Sequence, residues 1–460
     1  VVYLWGLDSD INSQPSQTRS YASLLYLTQA LAECKTKEPP KLWVITQQAQ
    51  PVNDAVKPLK IAQTSLWGMG QVIALEYPNL WGGLIDLEEK QPSSQAIIAE
   101  ITENLGEDRI AFRDHQRYVA RLVPNKAIKS SNINFKKTEA SYLITGGLGS
   151  LGLSLADWLI EKGANHLILT SRRALADHST DKQVKIKALE DKGATIQVIA
   201  ADVSDHQQTR QLFHQIQENC PPLQGIIHAA GVLSDRTIDK MDFHCFESVF
   251  NPKAAGAWNL HQLSQDLSLD FFVCFSSMSA LIGSRGQIHY AAANHFLDGL
   301  MHYRRESGLT GLSINWGPWA KGGMATQGYE EGLKRLGINP LQPNLALDTL
   351  DALINGNVTQ TMVAEIDWSK FKTIVAAKGR VAFLEALFKQ DKDNFVQSYA
   401  NLECFHSLNV AQARYFILTL LPHRNLQVVF METLGPPHLS RSINGLESKG
   451  TIIVQKRTGY

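Results

Sequence analysis

An apolar run, Ser141–Thr145, passes directly into Thr145-Gly146-Gly147-Leu148-Gly149-Ser150-Leu151-Gly152 and then into a helical pattern over Leu151–Lys162. No other feature of the 460 residues constrains the chain as tightly. A strand that turns through glycines into a helix lets backbone approach a pyrophosphate. The helix N-terminus there offers unpaired N–H groups and a positive dipole end. The spacing departs from G-x-G-x-x-G, and tight strand–helix packing is the alternative use of such glycines. The context favours the first reading. Leu167–Thr170, Ile196–Ala200, Gly225–His228, Phe271–Phe275 and Leu312–Asn315 follow as short apolar runs with helical patterns between them. Repeated βαβ units predict a parallel sheet wrapped by helices on both faces, an α/β, Rossmann-like doubly wound fold.

The end of the second strand reads Thr170-Ser171-Arg172-Arg173. A dinucleotide site for NAD places an acid there for the ribose 2′-OH. Here a hydroxyl and two guanidinium groups stand instead, and arginine forks suit a 2′-phosphate. The expected cofactor is NADPH; the alternative is a pair of solvated arginines. Asp202-Val203, after the third strand, offers an acceptor for an adenine amine and an apolar face for its ring.

Tyr290 and Asn294 stand four apart in Tyr290-Ala291-Ala292-Ala293-Asn294, so a helix points both from one face. Ser277 lies just past the strand Phe271–Phe275, and Lys253 sits in Asn251-Pro252-Lys253, near the start of a predicted helix. Reduction of a ketone needs a hydride on carbon and a proton on oxygen. A phenol supplies that proton when a nearby cation lowers its pKa. Lys253 is the candidate cation, Ser277 a donor to the carbonyl oxygen, and Asn294 a holder of water or of the lysine in a proton relay. Singly, each has a bland alternative as a packed or solvated side chain; the joint occurrence is the signal.

The remainder organises around this segment. Residues 1–125 alternate strands and helices: Val2–Trp5, Leu42–Thr46 and Gly83–Leu87 read as strands, Tyr21–Glu33 as a helix, and Arg117–Val123 as an edge strand. Gly68-Met69-Gly70 reads as a turn without a phosphate fingerprint, so this domain is expected to be structural, with no cofactor of its own. Residues 126–139 are a polar, lysine-rich linker, 140–385 the catalytic domain, and 386–460 a flank with a helix at Ala411–Leu421 and a basic end, Gly450–Tyr460. The 44 basic and 44 acidic residues balance, which excludes a whole-chain binder of nucleic acid or anionic membrane. Five dispersed cysteines without C-x-x-C spacing predict neither a disulfide framework nor a metal site and fit the reducing cytoplasm. The chain has no basic n-region and no initiator Met, so it reads as the interior of a longer polypeptide.

Residues 141–325 resemble the short-chain dehydrogenase/reductase superfamily, and residues 1–385 resemble, more closely, ketoreductase domains of modular type I polyketide synthases. The resemblance rests on Thr145–Gly152, Ser171-Arg172-Arg173, Ala201-Asp202-Val203, His228-Ala229-Ala230-Gly231, Phe275-Ser276-Ser277, Tyr290–Asn294 and Trp316-Gly317-Pro318-Trp319. Most short-chain reductases carry Tyr-x-x-x-Lys. Here Asn294 takes that lysine's place and Lys253 supplies the amine, an exchange that marks the polyketide branch.

The resemblance implies a truncated Rossmann-like structural subdomain beside the catalytic one. It makes Tyr290 the general acid, with Ser277, Lys253 and Asn294 completing a tetrad. It places the cofactor against Thr145, Gly147, Leu148, Gly149, Ser150, Leu151, Ala229, Ala230, Gly231 and Pro318, and starts a lid at Trp316–Met324 hinged on Gly322-Gly323. The implied substrate is a 3-ketoacyl chain on the phosphopantetheine of an acyl carrier protein, with neighbouring synthase domains as partners. B-type relatives carry Leu-Asp-Asp after His-Ala-Ala-Gly, where this chain has Leu233-Ser234-Asp235; A-type relatives carry Trp at the position of Ile282. The implied product is the (3R) alcohol, with Leu233, Asp235, Ile282 and Met324 near the substrate. Gly445-Leu446-Glu447-Ser448-Lys449 matches a carrier-protein site poorly, and the short linker leaves no room for an inserted enoylreductase. The retained Tyr290 and glycine turn argue against a reductase-incompetent scaffolding or epimerising domain. The companion domain and the Lys253/Asn294 exchange argue against a free-standing reductase.

Overall fold

The computed structural model describes residues 1–52, 59–89, 94–103, 106–124, 133, 135, 139–320, 327–377, 382–387, 426–430 and 453–456. Most of the expected linker, the expected helix at Ala411–Leu421, Ser448, Met324 and the Gly322-Gly323 hinge lie outside them, as does most of Gly450–Tyr460.

Two sheets form. The first sets Val2–Tyr3, Leu42–Gln47, Trp81–Leu87 and Arg109–Arg113 in parallel, then Gln116–Arg121 antiparallel. Three local expectations fail here. Gln116–Arg121 is not an edge, because Ile453–Lys456 pairs along its outer side. The strand expected over Val2–Trp5 stops at Tyr3, and Trp5 begins a 3-10 turn, Trp5–Asp8. Gly68-Met69-Gly70 is no turn: it lies inside the helix Thr64–Glu76, eleven of whose residues are buried. A Cβ on Gly68 would come within 2.6 Å of the Ala291 carbonyl carbon. The glycine is there so that this helix can lie directly on the helix Ile288–Glu306 of the second domain.

The second sheet runs Thr195–Ala200, His166–Ser171, Ser141–Thr145, Leu223–His228, Phe271–Ser277, Leu312–Trp316 and Gln360–Ile366, all parallel. Ser141–Thr145 and Leu312–Trp316 are buried along their whole length, as strands covered on both faces must be. Strand order reverses between Ser141–Thr145 and Leu223–His228, so a crevice opens beyond their carboxyl ends. On one face Leu143, Ile226 and Phe272 of this sheet share a continuous core with Leu24, Leu66 and Val72 of the first domain. On the other, Tyr142, Ile144 and Phe271 pack under Leu155, Leu159 and Leu350. Among the described residues no helix is long and apolar enough to cross a membrane.

Candidate active site

A cavity of about 670 Å³ occupies the crevice. At one end the glycine turn bends through Gly146, whose φ of +68° suits glycine alone; a Cβ there would stand 2.9 Å from Ala230 Cα. Gly149 is the N-cap of the helix Ser150–Glu161 and brings no side chain to its first N–H groups. Leu148, Gly149, Ser150 and Leu151 line the cavity, whereas Gly147 and Thr145 hold the turn from behind. Gly147 N donates to Thr170 O at 3.0 Å. Arg172 lines the cavity and Arg173 does not; Ser171, also on the wall, donates its hydroxyl to Arg173 O at 2.6 Å. His178 and Lys182, which the sequence reading passed over, join Arg172 on this wall. Asp202 and Val203 face the same space, with Asp202 Oδ1 accepting from Ser204 Oγ at 2.6 Å. Bare glycine backbone, an uncapped helix N-terminus and a cationic rim fit the pyrophosphate of a nicotinamide dinucleotide.

Lys253 stands mid-helix, not near a start: the helix Phe243–Leu263 begins at an Asp242 cap, whose Oδ1 accepts from Cys245 N at 2.7 Å, and runs through Pro252. Lys253 is 2% exposed and its Nζ donates to Phe275 O at 2.8 Å, 5.3 Å from the centre of the Tyr290 ring. Burial pushes this ammonium down to about 8. Its stem crosses Gly231, where a Cβ would lie 2.8 Å from Lys253 Cε.

His228, in His228-Ala229-Ala230-Gly231, bridges two elements of the site. It is fully buried, and burial holds it neutral, with a pKa down at about 3. Lys253 O can only accept, so Nε2–H donates to it at 2.9 Å, and Nδ1 accepts from Thr145 Oγ1 at 2.7 Å. Thr145 Oγ1 in turn accepts from Ala230 N at 3.3 Å. One imidazole thus ties the glycine turn to the lysine helix.

Ser277 and Tyr290 line the cavity with Lys253. Ser277 Oγ accepts from Ser279 N at 3.2 Å. Asn294 stays behind the wall: its Nδ2 donates to Tyr290 O at 2.8 Å, while its buried Oδ1 meets no donor among the described residues. Behind it, buried Asp298 accepts from Ser313 Oγ at 2.6 Å and Asn315 Nδ2 at 2.8 Å, and desolvation raises its pKa to about 6. Ala229, Ala230, Gly231, Leu233, Ile282, Trp316 and Pro318 complete the walls. Asp235 does not reach the cavity; both its oxygens accept from Gln287 Nε2, at 3.1 and 3.2 Å. The far end is apolar, closed by Leu336, Ile338, Phe371, Val375, Phe383 and Leu384.

The family model described as "KR domain" matches residues 140–321, and that of the Rossmann fold domain of the polyketide synthase extender module SpnB matches residues 1–122. A solved structure of A-type ketoreductases from a modular polyketide synthase is 33% identical, with a TM-score of 0.75, covering 84% of this chain and 81% of that one. This chain belongs to the polyketide synthase ketoreductases. It is therefore an oxidoreductase of the short-chain dehydrogenase/reductase superfamily, and its fold implies a nicotinamide cofactor. The ketoreductase is 37% identical over 71% of its length to a 6-methylsalicylic acid synthase of Arthrobotrys oligospora, covering 19% of that protein. It is 33% identical over 80% of its length to the polyketide synthase GfsB of Streptomyces halstedii, covering 7% of that protein. The chain thus spans a fifth or less of these relatives, which are long synthases.

Proposed function

We propose that this ketoreductase uses NADPH to reduce the 3-keto group of an acyl thioester carried by an acyl carrier protein, giving the (3R)-hydroxyacyl thioester. The observation that carries the reading is one cavity that joins a glycine turn with a cationic rim to Tyr290, Ser277 and a buried Lys253. Bound NADPH would supply hydride to the carbonyl carbon, its pyrophosphate against Gly149–Leu151 and its 2′-phosphate at Arg172. Tyr290 donates its phenolic proton to the carbonyl oxygen as charge develops there. Ser277 donates a hydrogen bond to the same oxygen. The Lys253 ammonium stabilises the tyrosinate left behind, and Asn294 Oδ1 holds a water through which the proton is replaced.

The likeness of Leu233-Ser234-Asp235 to the B-type motif, and Ile282 where A-type relatives carry Trp, support the (3R) outcome. The dispersed cysteines support a cytoplasmic setting; Cys34, Cys220, Cys245 and Cys274 are all free thiols. All the residues lining the cavity except Leu75 and Arg109 fall within 146–384, which supports a catalytic domain over 140–385 beside a non-catalytic one over 1–125. Incubation with NADPH and a 3-ketoacyl-N-acetylcysteamine thioester, read at the nicotinamide band and by chiral chromatography, tests the proposal. Unconsumed NADPH would refute the reduction, and an (S) alcohol the stereochemistry.

A further inference from the structure

The two loops that border the substrate side of Tyr290 are held from the other domain. Glu76 ends the helix Thr64–Glu76. Its Oε2 accepts from Ile238 N at 2.8 Å, and its Oε1 accepts from Gly286 N at 2.7 Å. One carboxylate thus spans the segment after Gly231 and the segment leading into the Tyr290 helix. The loops are also cross-linked, with Arg236 N donating to Gly286 O at 2.8 Å. Gln29, again from the first domain, donates Nε2 to Ile238 O at 2.6 Å and Met241 O at 2.8 Å.

From this clamp a short path reaches the reacting tyrosine. Gln287 holds Asp235 through both carboxylate oxygens. His289 Nε2 donates to Ser234 O at 2.8 Å, with its Nδ1 accepting from Tyr290 N at 2.8 Å. Leu75, beside Glu76, is itself part of the cavity wall.

We propose that Glu76 is a positioning residue for the active site: by fixing the separation of the 232–238 and 283–287 segments, it sets the pose in which the substrate carbonyl meets Tyr290. This rests on the ketoreductase reading. A carboxylate suits the task because both oxygens accept, and charge-assisted bonds to backbone N–H hold geometry better than neutral ones. Nothing in it calls for contact between Glu76 and substrate.

The test uses the full chain, with Glu76→Ala and Glu76→Gln. Two readouts are taken: the product enantiomer ratio with KM and kcat, and amide hydrogen exchange over 233–241 and 283–290. Glu76→Ala is expected to speed exchange in both segments at least tenfold, to lower the enantiomer ratio about tenfold and to raise KM at least fivefold. NADPH affinity should stay within twofold. Glu76→Gln should fall between, since its amide oxygen still accepts one N–H; it also carries the test if the alanine variant folds poorly. Unchanged exchange overturns the clamp. Faster exchange, or a lower melting temperature, with an unmoved enantiomer ratio and KM overturns the positioning role. Wild-type protein that leaves NADPH unconsumed sinks the ketoreductase reading instead, and exchange still decides whether the clamp exists.

Discussion

At the carboxyl ends of Leu42–Gln47 and Trp81–Leu87 the first sheet is filled by its own side chains. Asp86 is wholly buried, accepts from Thr46 Oγ1 at 2.6 Å and Ala49 N at 2.9 Å, and pairs with buried Arg113. Arg113 Nη2 also donates to Gln50 O at 2.9 Å. At the carboxyl ends of Ser141–Thr145 and Leu223–His228 the second sheet carries glycines and alanines, and a cavity of about 670 Å³ remains. Both domains are built on largely parallel sheets with helices, and both have a place where strands end. The difference teaches that the architecture only offers a crevice. Whether it becomes a site depends on whether a buried ion pair closes it or bare backbone leaves it open.

The largest test of that contrast removes the chemistry and leaves the crevice. Tyr290→Phe should slow NADPH consumption about 10²- to 10⁴-fold, while NADPH binding by fluorescence stays within twofold. Wild-type turnover in this variant would take Tyr290 out of the reaction. Next, opening the plug of the first domain should cost stability without touching the chemistry. Asp86→Ala strands a buried guanidinium, and urea unfolding should show a loss of about 3–5 kcal/mol, with kcat of the folded fraction unchanged. A loss under about 1 kcal/mol would mean the pair is solvated. Between the two domains, Gly68→Ala forces a methyl onto Ala291 and should cost about 1–3 kcal/mol by the same measurement.

Smaller effects sharpen the cofactor end. Arg172→Ala should lower the preference for NADPH over NADH about tenfold, or about 1.4 kcal/mol. Arg173→Ala, off the cavity wall, should change it less than about twofold. The smallest shift is in pH. Lys253 loses its proton near pH 8, so kcat for reduction should decline as pH rises through that value. Stability responds with the opposite sign. From about 8, in the folded protein, to the ordinary 10.5 the unfolded chain binds more protons at Lys253, so this residue makes folding more favourable as pH rises. A Lys253→Met variant whose stability keeps the same slope over that window would contradict the assignment.

The second sheet was legible because its strands are covered on both faces and read as unbroken apolar runs; Ser141–Thr145 matches its strand to the residue. The same logic hid Arg109–Arg113, whose two arginines are buried against a backbone carbonyl of the other domain and a carboxylate distant in sequence. Helical glycines at Gly68 and Gly70 mimicked a turn: Gly68 lies against a helix more than 200 residues away, and Gly70 against Trp81 and Leu84 of the strand Trp81–Leu87. Pro252 mimicked a helix start, but it lies inside the helix Phe243–Leu263. Which residues share the cavity was largely visible in the motifs. The side chains that act across the domain boundary, Glu76 and Gln29, carry no local pattern, because their partners are backbone groups that any sequence supplies.

The close approach at Gly68 also bears on how such enzymes are recombined. Ala291, Ala292, Phe296 and Leu300, on the helix that carries Tyr290, are buried in the core shared with Leu66, Met69 and Val72. A cut near residue 139 that discards the first domain would bare that apolar stripe to water on the element whose placement matters most. For anyone exchanging reductases between synthases, the transferable part is the pair of sheets moved together with their native junction.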